Sequence, residues 1–581
     1  MIRITLIFVF VSLFVSTAIS QSATQEYKDI PEEKIFMHHN TSFLFTGEYL
    51  YYSVYCLNSE SRNLSDLSKV AYVELVSEDK KVVFTHKVKL KNGVGQGDFF
   101  LPVSLRSGNY KLLAYTNWMK NYGVQNFFQG DVAIVNPYQG DQKSILTDSV
   151  SYKEKREAYL KERIKSDRTK SKISLTTNKS AFGKREAVDL KIRNLDKSIA
   201  GGRFSISVRK VDTIKTPNQK TTLDFNTSLS KRNEQLKSES VTLPELRGEL
   251  ICGKIISKDS NFDVVNKKVG FSIPGENYEI KIATTDNEGG FCFNLDREYE
   301  ENDGFLQVLG FEDKFNVELI ESEVLDYEKL NFNDFKITRE MKDMIIKRSV
   351  YNQIRNRYFS VKPDTLTPLQ EIPPFYEGTA EIYNLDDYTR FPTIRETLVE
   401  VVNNVWAKKV ENDRYVFQVR YKYPPFNEPE YLPLVIVDGM IIQDHTDLVE
   451  YDARKVKRIS VSRDKHYLGS QIFQGIVDIE TEKGDYYTLV NKSYIDKITL
   501  FKPLPKKKYF VQQYNQGVKS DSDRIPDFRN QLLWLPDVTF DDVETTINFF
   551  TSNNLGDYEI RIEGYSSNGM PISATERITV K

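Results

Sequence analysis

The sequence predicts a mainly β chain, a multidomain string of β-sandwiches with one small α+β unit, on three observations. Between Leu67 and Tyr122 the apolar residues Val82, Phe84, Val88 and Leu90 fall on alternate positions, the period of a strand with one buried face. Turn residues punctuate such runs: Asn92-Gly93, Gly95 and Gly97, then Arg106-Ser107-Gly108-Asn109 between Phe99–Pro102 and Tyr110–Thr116. Helical spacing is confined to short segments. Met341, Met344, Ile345, Val350 and Ile354 recur near it in Asp334–Tyr358, where core packing is the expected reason, and Thr393–Val402 follows Pro392, which suits a first helical turn.

A chain of 581 residues has room for about four domains. With 40% apolar residues, 33 Tyr and 35 Phe it can fill several cores, which excludes global disorder. Lys plus Arg (80) nearly cancels Asp plus Glu (82), so no basic surplus points to nucleic acid and no acidic one to a solvating tail. Residues 1–20 read as a signal peptide: Arg3 is the positive start, Ile4–Val15 is apolar, and Ala18 and Ser20 are the small residues before cleavage. No Cys stands near that point to take a lipid. No later run reaches the ~20 apolar residues of a transmembrane helix, so none is expected after signal cleavage. The expected address is exported, in the periplasm or associated with the outer membrane.

Residues 35–138 form the first expected sandwich. Within it Gly93–Pro102 reads G-x-G-x-G-x-F-x-L-P and Leu105–Trp118 reads L-x-x-G-x-Y-x-L-x-A-Y-T-x-W. Both patterns resemble the bacterial macroglobulin-type domain. Residues 139–172 are charged and poor in apolar side chains, as expected of a linker or connecting helix. The Glu residues interleaved in Lys153–Lys165 fit a solvated face better than a nucleic-acid patch. Residues 173–245 alternate again (Val188, Leu190, Ile192; Phe204, Ile206, Val208) around a Gly201-Gly202 turn and resemble a second macroglobulin-type sandwich, with Lys215–Thr242 expected as a long loop.

Residues 246–318 carry T-D-x-x-G-x-F-x-F at Thr285–Phe293 and resemble the carboxypeptidase regulatory-like sandwich. Asp286–Gly289 reads as a tight turn, because its oxygens are too sparse for the ~6–8 ligands of calcium. Cys252 and Cys292 lie on strands of this unit. They either pair or stay as two buried thiols, and Cys56, in an apolar strand, is expected to be inert. Residues 319–384 are a helix and a Pro-rich connector. Residues 385–485 run helix, P-L-V-I-V-D-G at Pro433–Gly439, V-x-R-I-S-V at Val456–Val461 and then Gly475–Thr481. That order resembles the plug domain of TonB-dependent outer-membrane receptors. Only 96 residues follow Asp485, too few for the receptor's barrel of about 22 strands. Residues 486–581 resemble closing macroglobulin-type strands, with Phe528, Leu532, Trp534, Tyr558, Ile560 and Ile562 as the apolar faces.

No catalytic, cofactor-binding or metal site is expected. His38 and His39 are adjacent and point to opposite faces of a strand, and His86 lies on an apolar strand face. His445 and His466, with Asp444, Asp447 and Asp464 nearby, are read as exposed loop residues before a weak metal site. H-E-x-x-H, G-x-S-x-G, P-loop and S-x-x-K motifs are absent, and no Cys has the context of the thioester by which some macroglobulins trap proteases covalently. The whole combination resembles envelope proteins of Bacteroidota. It implies a non-catalytic binding or scaffold protein docking on an outer-membrane protein complex or receptor; the alternative is a non-covalent, macroglobulin-like protease inhibitor. Three Asp-Ser/Thr-apolar triplets, at Asp148, Asp212 and Asp364, resemble O-glycosylation acceptors of the same group.

Overall fold

The computed structural model describes residue 27 and residues 30–147, 172–196, 199–212, 214, 216–229, 241–259, 261–310, 313–320, 324–423, 431–514, 524–540 and 543–581. The expected signal peptide and most of the charged connector lie outside them. The chain is mainly β and multidomain. It divides into two compact units: Met1–Leu246 with Val324–Thr367 and Pro503–Lys581, and Arg247–Glu323 with Pro368–Lys502.

In the first unit Tyr49–Asn58 is the middle of a three-stranded sheet, between Glu33–His39 and Val94–Phe100. A second sheet runs in the order Phe43–Phe45, Phe128–Val135, Gly108–Tyr115, Val70–Ser77, Val82–Lys89. Phe36, Tyr55, Leu75, Leu112 and Leu113 share one core between them. Asn92-Gly93 makes the expected turn, both residues having positive φ (52° and 75°), the geometry that matches a hairpin's twist. Gly95 and Gly97 do not turn the chain. They sit inside the strand Val94–Phe100, and a Cβ on Gly97 would lie 2.2 Å from the Tyr52 hydroxyl. The missing side chain makes room for an aromatic ring, a requirement that a glycine pattern alone does not separate from a bend.

The second sandwich of this unit is built from both ends of the sequence. Its five-stranded sheet runs Ala181–Phe182, Pro571–Val580, Gly556–Tyr565, Arg203–Lys210, Gln531–Thr539, and its three-stranded sheet runs Glu544–Phe550, Ala187–Asn194, Ile173–Thr177. Segments read as separate, in 173–245 and 486–581, thus close one core, in which Val188, Leu190, Phe204, Ile206 and Val208 meet Leu532, Tyr558, Ile560 and Ile562. Each segment supplies strands to both sheets, and neither sheet is complete without the other segment. Part of the expected loop is helical: Thr222–Ser228 starts on a capping box, in which the Thr221 hydroxyl accepts from Asp224 N–H and the Asp224 carboxylate accepts from Thr221 N–H.

The helix Lys342–Arg357 falls within the expected segment but buries a different face. Met341, Met344 and Ile345 pack on Phe43 and Phe335 at its start, whereas farther along it buries Arg348, Ser349 and Asn352 and leaves Ile346 and Val350 exposed. The apolar spacing was the weaker guide, because a buried carboxylate opposite the helix selects polar partners.

In the second unit Gly290–Leu295, Glu249–Ser257 and Phe315–Leu319 face a sheet ordered Glu279–Thr284, Lys268–Ile273, Asp303–Val308, Asp496–Thr499. Cys252 and Cys292 stand opposite each other in register, Cα atoms 4.1 Å apart, and are disulfide-bonded. Asp286 accepts from the N–H groups of Glu288 and Gly290, both at 2.8 Å, so its carboxylate closes a turn. A five-stranded mixed sheet follows, ordered Ala380–Asn384, Val456–Leu468, Gln471–Thr481, Leu434–Val437, Met440–Ile441. Leu434–Val437 is buried throughout and runs parallel to Gln471–Thr481, as an all-apolar strand should. Val456–Leu468 and Gln471–Thr481, 13 and 11 residues long, extend beyond the quoted motifs and form a long hairpin. The helix Ile394–Glu400 begins at Thr393, whose hydroxyl accepts from Glu396 N–H at 3.2 Å. At Gly439 (φ 82°) a Cβ would come within 2.3 Å of Tyr278 Cβ, so glycine is required twice over.

Candidate functional site

The five histidines are absorbed by the fold. His38 is buried, its Nδ1 2.6 Å from Ser205 Oγ, and its ring lies against Trp534. Burial, with Arg561 and His39 nearby, pushes it well below the usual imidazole range. His39 is pushed down to about 4, chiefly by burial, and its Nδ1 lies 2.9 Å from the Thr41 carbonyl. His86, half-buried between Phe84 and Phe99, meets the Tyr52 hydroxyl at 2.8 Å and falls to about 4 through burial and Lys507. His445 is not the exposed loop residue expected: it is buried, and its Nδ1 accepts from Phe417 N–H at 2.8 Å. His466 is on a strand, half-buried, 2.7 Å from Ser462 Oγ. Asp447 pairs with Lys492 at 2.8 Å. Among the described residues no three or more His, Cys, Asp or Glu side chains gather as metal ligands. Cys56 is a free, buried thiol pushed well above its ordinary range, first by burial and then by Glu33.

The buried carboxylates organise structure. Glu48 receives Arg348 through two hydrogen bonds of 2.8 Å, Arg209 at 3.1 Å and Asn352 at 3.0 Å, while Arg348 also holds Asp212 at 2.6 Å. Burial alone would raise the Glu48 carboxyl, but the two guanidiniums hold it well below the carboxylate range. Asp527 and Arg529 form a similar pair, and Asp527 is drawn down to about 2 against the opposing effect of burial. Among the described residues no cation is bonded to Asp478. The hydroxyls of Tyr278 (2.7 Å) and Tyr376 donate to its Oδ2, and burial pushes it up to about 6.

Beside the Glu48 cluster is a cleft of about 60 Å³. Tyr51, Tyr509 and Trp534 form one wall, Tyr51 stacked on Trp534 at 6.0 Å and edge-on to Tyr509 at 5.1 Å. Arg355, in the last turn of the helix, and Lys362, just past the 3₁₀ turn Phe359–Val361, supply positive charge. Arg529 and Asp364 also reach the cleft, but each is engaged: Arg529 by Asp527, Asp364 by Lys507 at 3.5 Å and by Phe510 N–H at 2.9 Å. No sequence motif pointed here, because the lining comes from four separate stretches of chain. In the sequence Trp534 marks only an apolar strand face.

No family model matches the chain. No curated protein matches it either. Among solved structures it is similar to Escherichia coli alpha-2-macroglobulin activated by porcine elastase, at 8% identity and a TM-score of 0.24, over 94% of this chain and 44% of that one. It is also similar to Salmonella alpha-2-macroglobulin reacted with methylamine, at 8% identity and a TM-score of 0.23, over 94% of this chain and 39% of that one. A DUF4785 family protein of Legionella pneumophila is similar at 9% identity and a TM-score of 0.13, over 48% of this chain and 54% of that one. The chain spans less than half the length of these macroglobulins, and likeness at such scores carries no argument about what it does.

Proposed function

We propose that the chain is a non-catalytic binding protein of the bacterial envelope that holds a protein partner along an open sheet edge. The observation that carries this reading is the strand Ala380–Asn384. Among the described residues it pairs on one side only, with Val456–Leu468, and Ile382 is 56% exposed beside the free flank. Such a flank offers backbone N–H and C=O groups to an incoming strand. Non-catalytic use is supported by where the reactive groups are: the histidines and the free thiol are buried or half-buried and turned to internal contacts. No helix among the described residues is long and apolar enough to cross a membrane. The leader-like sequence at 1–20 and the plug-like order of 385–485 support an envelope address and an outer-membrane protein complex as the partner.

Crosslinking in intact cells, followed by extraction in mild detergent, tests this. The full chain is expected to co-purify with an outer-membrane protein, and Ile382→Pro, which removes a donor at the edge, to lose at least most of that material. Recovery of free chain alone at every salt concentration overturns the docking reading. If the purified chain instead binds and blocks trypsin- or elastase-class proteases, the non-covalent inhibitor takes its place.

A further inference from the structure

The cleft beside Trp534 contains an imbalance of charge that the surrounding contacts leave standing. Arg355 makes one long hydrogen bond, Nη2 to the Tyr51 hydroxyl at 3.5 Å, and Lys362 Nζ has no hydrogen-bonded or ion-paired carboxylate among the described residues. The helix end accounts for part of this, since unpaired carbonyls of a last turn favour a cation such as Arg355. It does not account for Lys362, which lies five residues beyond Arg357 and is partly buried. Burial, together with the neighbouring Arg529, Arg355 and Arg185, pushes the Lys362 amine below its ordinary range, although Asp527 works the other way. Cations gathered in a partly dry site, where the carboxylates Asp364 and Asp527 are bonded to other partners, attract an anion more strongly than the same groups in water.

The remaining features narrow the class of anion. The Tyr51 hydroxyl accepts from Arg355, and its own proton has no acceptor among the described residues. Burial pushes that hydroxyl up to about 12, so it stays a donor at neutral pH. At ~10–15 Å³ per water, a space of about 60 Å³ admits roughly four to six waters, which is room for an anionic group of three to five heavy atoms. Tyr509, Trp534 and Phe359 give the rest of the lining an aromatic character suited to a small apolar body behind that group.

We propose that this cleft is a binding site for a small oxyanion of the carboxylate or phosphate class, held between Arg355 and Lys362 against the Tyr51 hydroxyl. The inference goes beyond the strand-edge reading and does not rest on it.

The chain has three tryptophans, Trp118, Trp406 and Trp534, and of these Trp534 lines the cleft. Inorganic phosphate and N-acetylglycine are titrated into the full chain at constant ionic strength made up with chloride. The glycine amide derivative is the neutral control, and binding is followed by tryptophan fluorescence and by calorimetry. Saturable binding of either anion is expected, with a fluorescence change that Trp534→Phe abolishes. Affinity is expected to fall about tenfold in Lys362→Gln and in Arg355→Gln, but not in the surface control Lys143→Gln. Tighter binding of phosphate identifies a free inorganic ion as the source, and tighter binding of N-acetylglycine the acidic end of a polypeptide. The proposal is overturned if neither method detects binding, if chloride reproduces the effect, or if both variants bind as the parent does. Circular dichroism of each variant separates lost binding from lost folding.

Discussion

Glu48 in one unit and Asp478 in the other both leave water, and they do so with opposite electrostatic results. Glu48 is met by two guanidiniums, which hold it well below the carboxylate range; Asp478 is met by two tyrosine hydroxyls and is pushed up to about 6 by burial. Burial raises both carboxyls; the two guanidiniums outweigh it at Glu48, and the two neutral hydroxyls, with Arg458 nearby, do not outweigh it at Asp478. The signs of their pH dependence differ accordingly. Glu48, depressed in the fold, contributes stability that is fully present above about pH 4.5 and is lost as acid protonates it. Asp478 is raised from 3.8 to about 6, so its contribution is full below about pH 4 and declines as pH rises to 6.

Removing the cation from the first site should have the largest effect. Arg348→Met takes from Glu48 one of its two guanidiniums and from Asp212 its partner at 2.6 Å, and is expected to cost about 3–5 kcal/mol in urea unfolding. A single-variant cost under about 1 kcal/mol would break the comparison. At the second site Tyr376→Phe removes one of two donors to Asp478 and should cost about 1.5–3 kcal/mol at pH 7. Asp478→Asn should gain on the parent as pH rises from 4 to 6, and parallel stability curves over that range would deny the raised titration. Glu563 sharpens the point from within the first unit. It is bonded by Thr222 N–H and hydroxyl (both 2.9 Å) and by the Ser573 hydroxyl (2.8 Å), and burial pushes it up to about 7 despite Arg561. Thr222→Val should cost about 1 kcal/mol and move the Glu563 midpoint higher still, as read by stability between pH 5 and 8.

Strands were the legible part of this sequence, and their partners were not. Alternation in Val188–Ile192 and Phe204–Val208 states that one face is buried, but it is silent on which strands complete the sheets, and Glu544–Phe550, Gln531–Thr539 and Gly556–Tyr565 lie more than 300 positions away. The same limit explains Arg348: a helix that docks on a carboxylate carries no apolar stripe there, so periodicity points to the wrong face. His445 escaped because a loop position does not reveal that Phe417 N–H needs an acceptor. The cleft was illegible for a related reason. Its cations stand near one another in sequence, but the aromatic wall that gives them a purpose is assembled by strand pairing.

The strand Arg203–Lys210 is flanked on both sides by late segments, Gln531–Thr539 and Gly556–Tyr565, with Arg203 bonding Asp537 across 334 positions. During synthesis at ~5–20 residues per second, that strand waits roughly 20–70 s for its neighbours. Phe204, Ile206 and Val208 stay uncovered through that interval, which makes the nascent chain a client for holding chaperones and gives this half of the molecule an all-or-nothing sensitivity to late truncation.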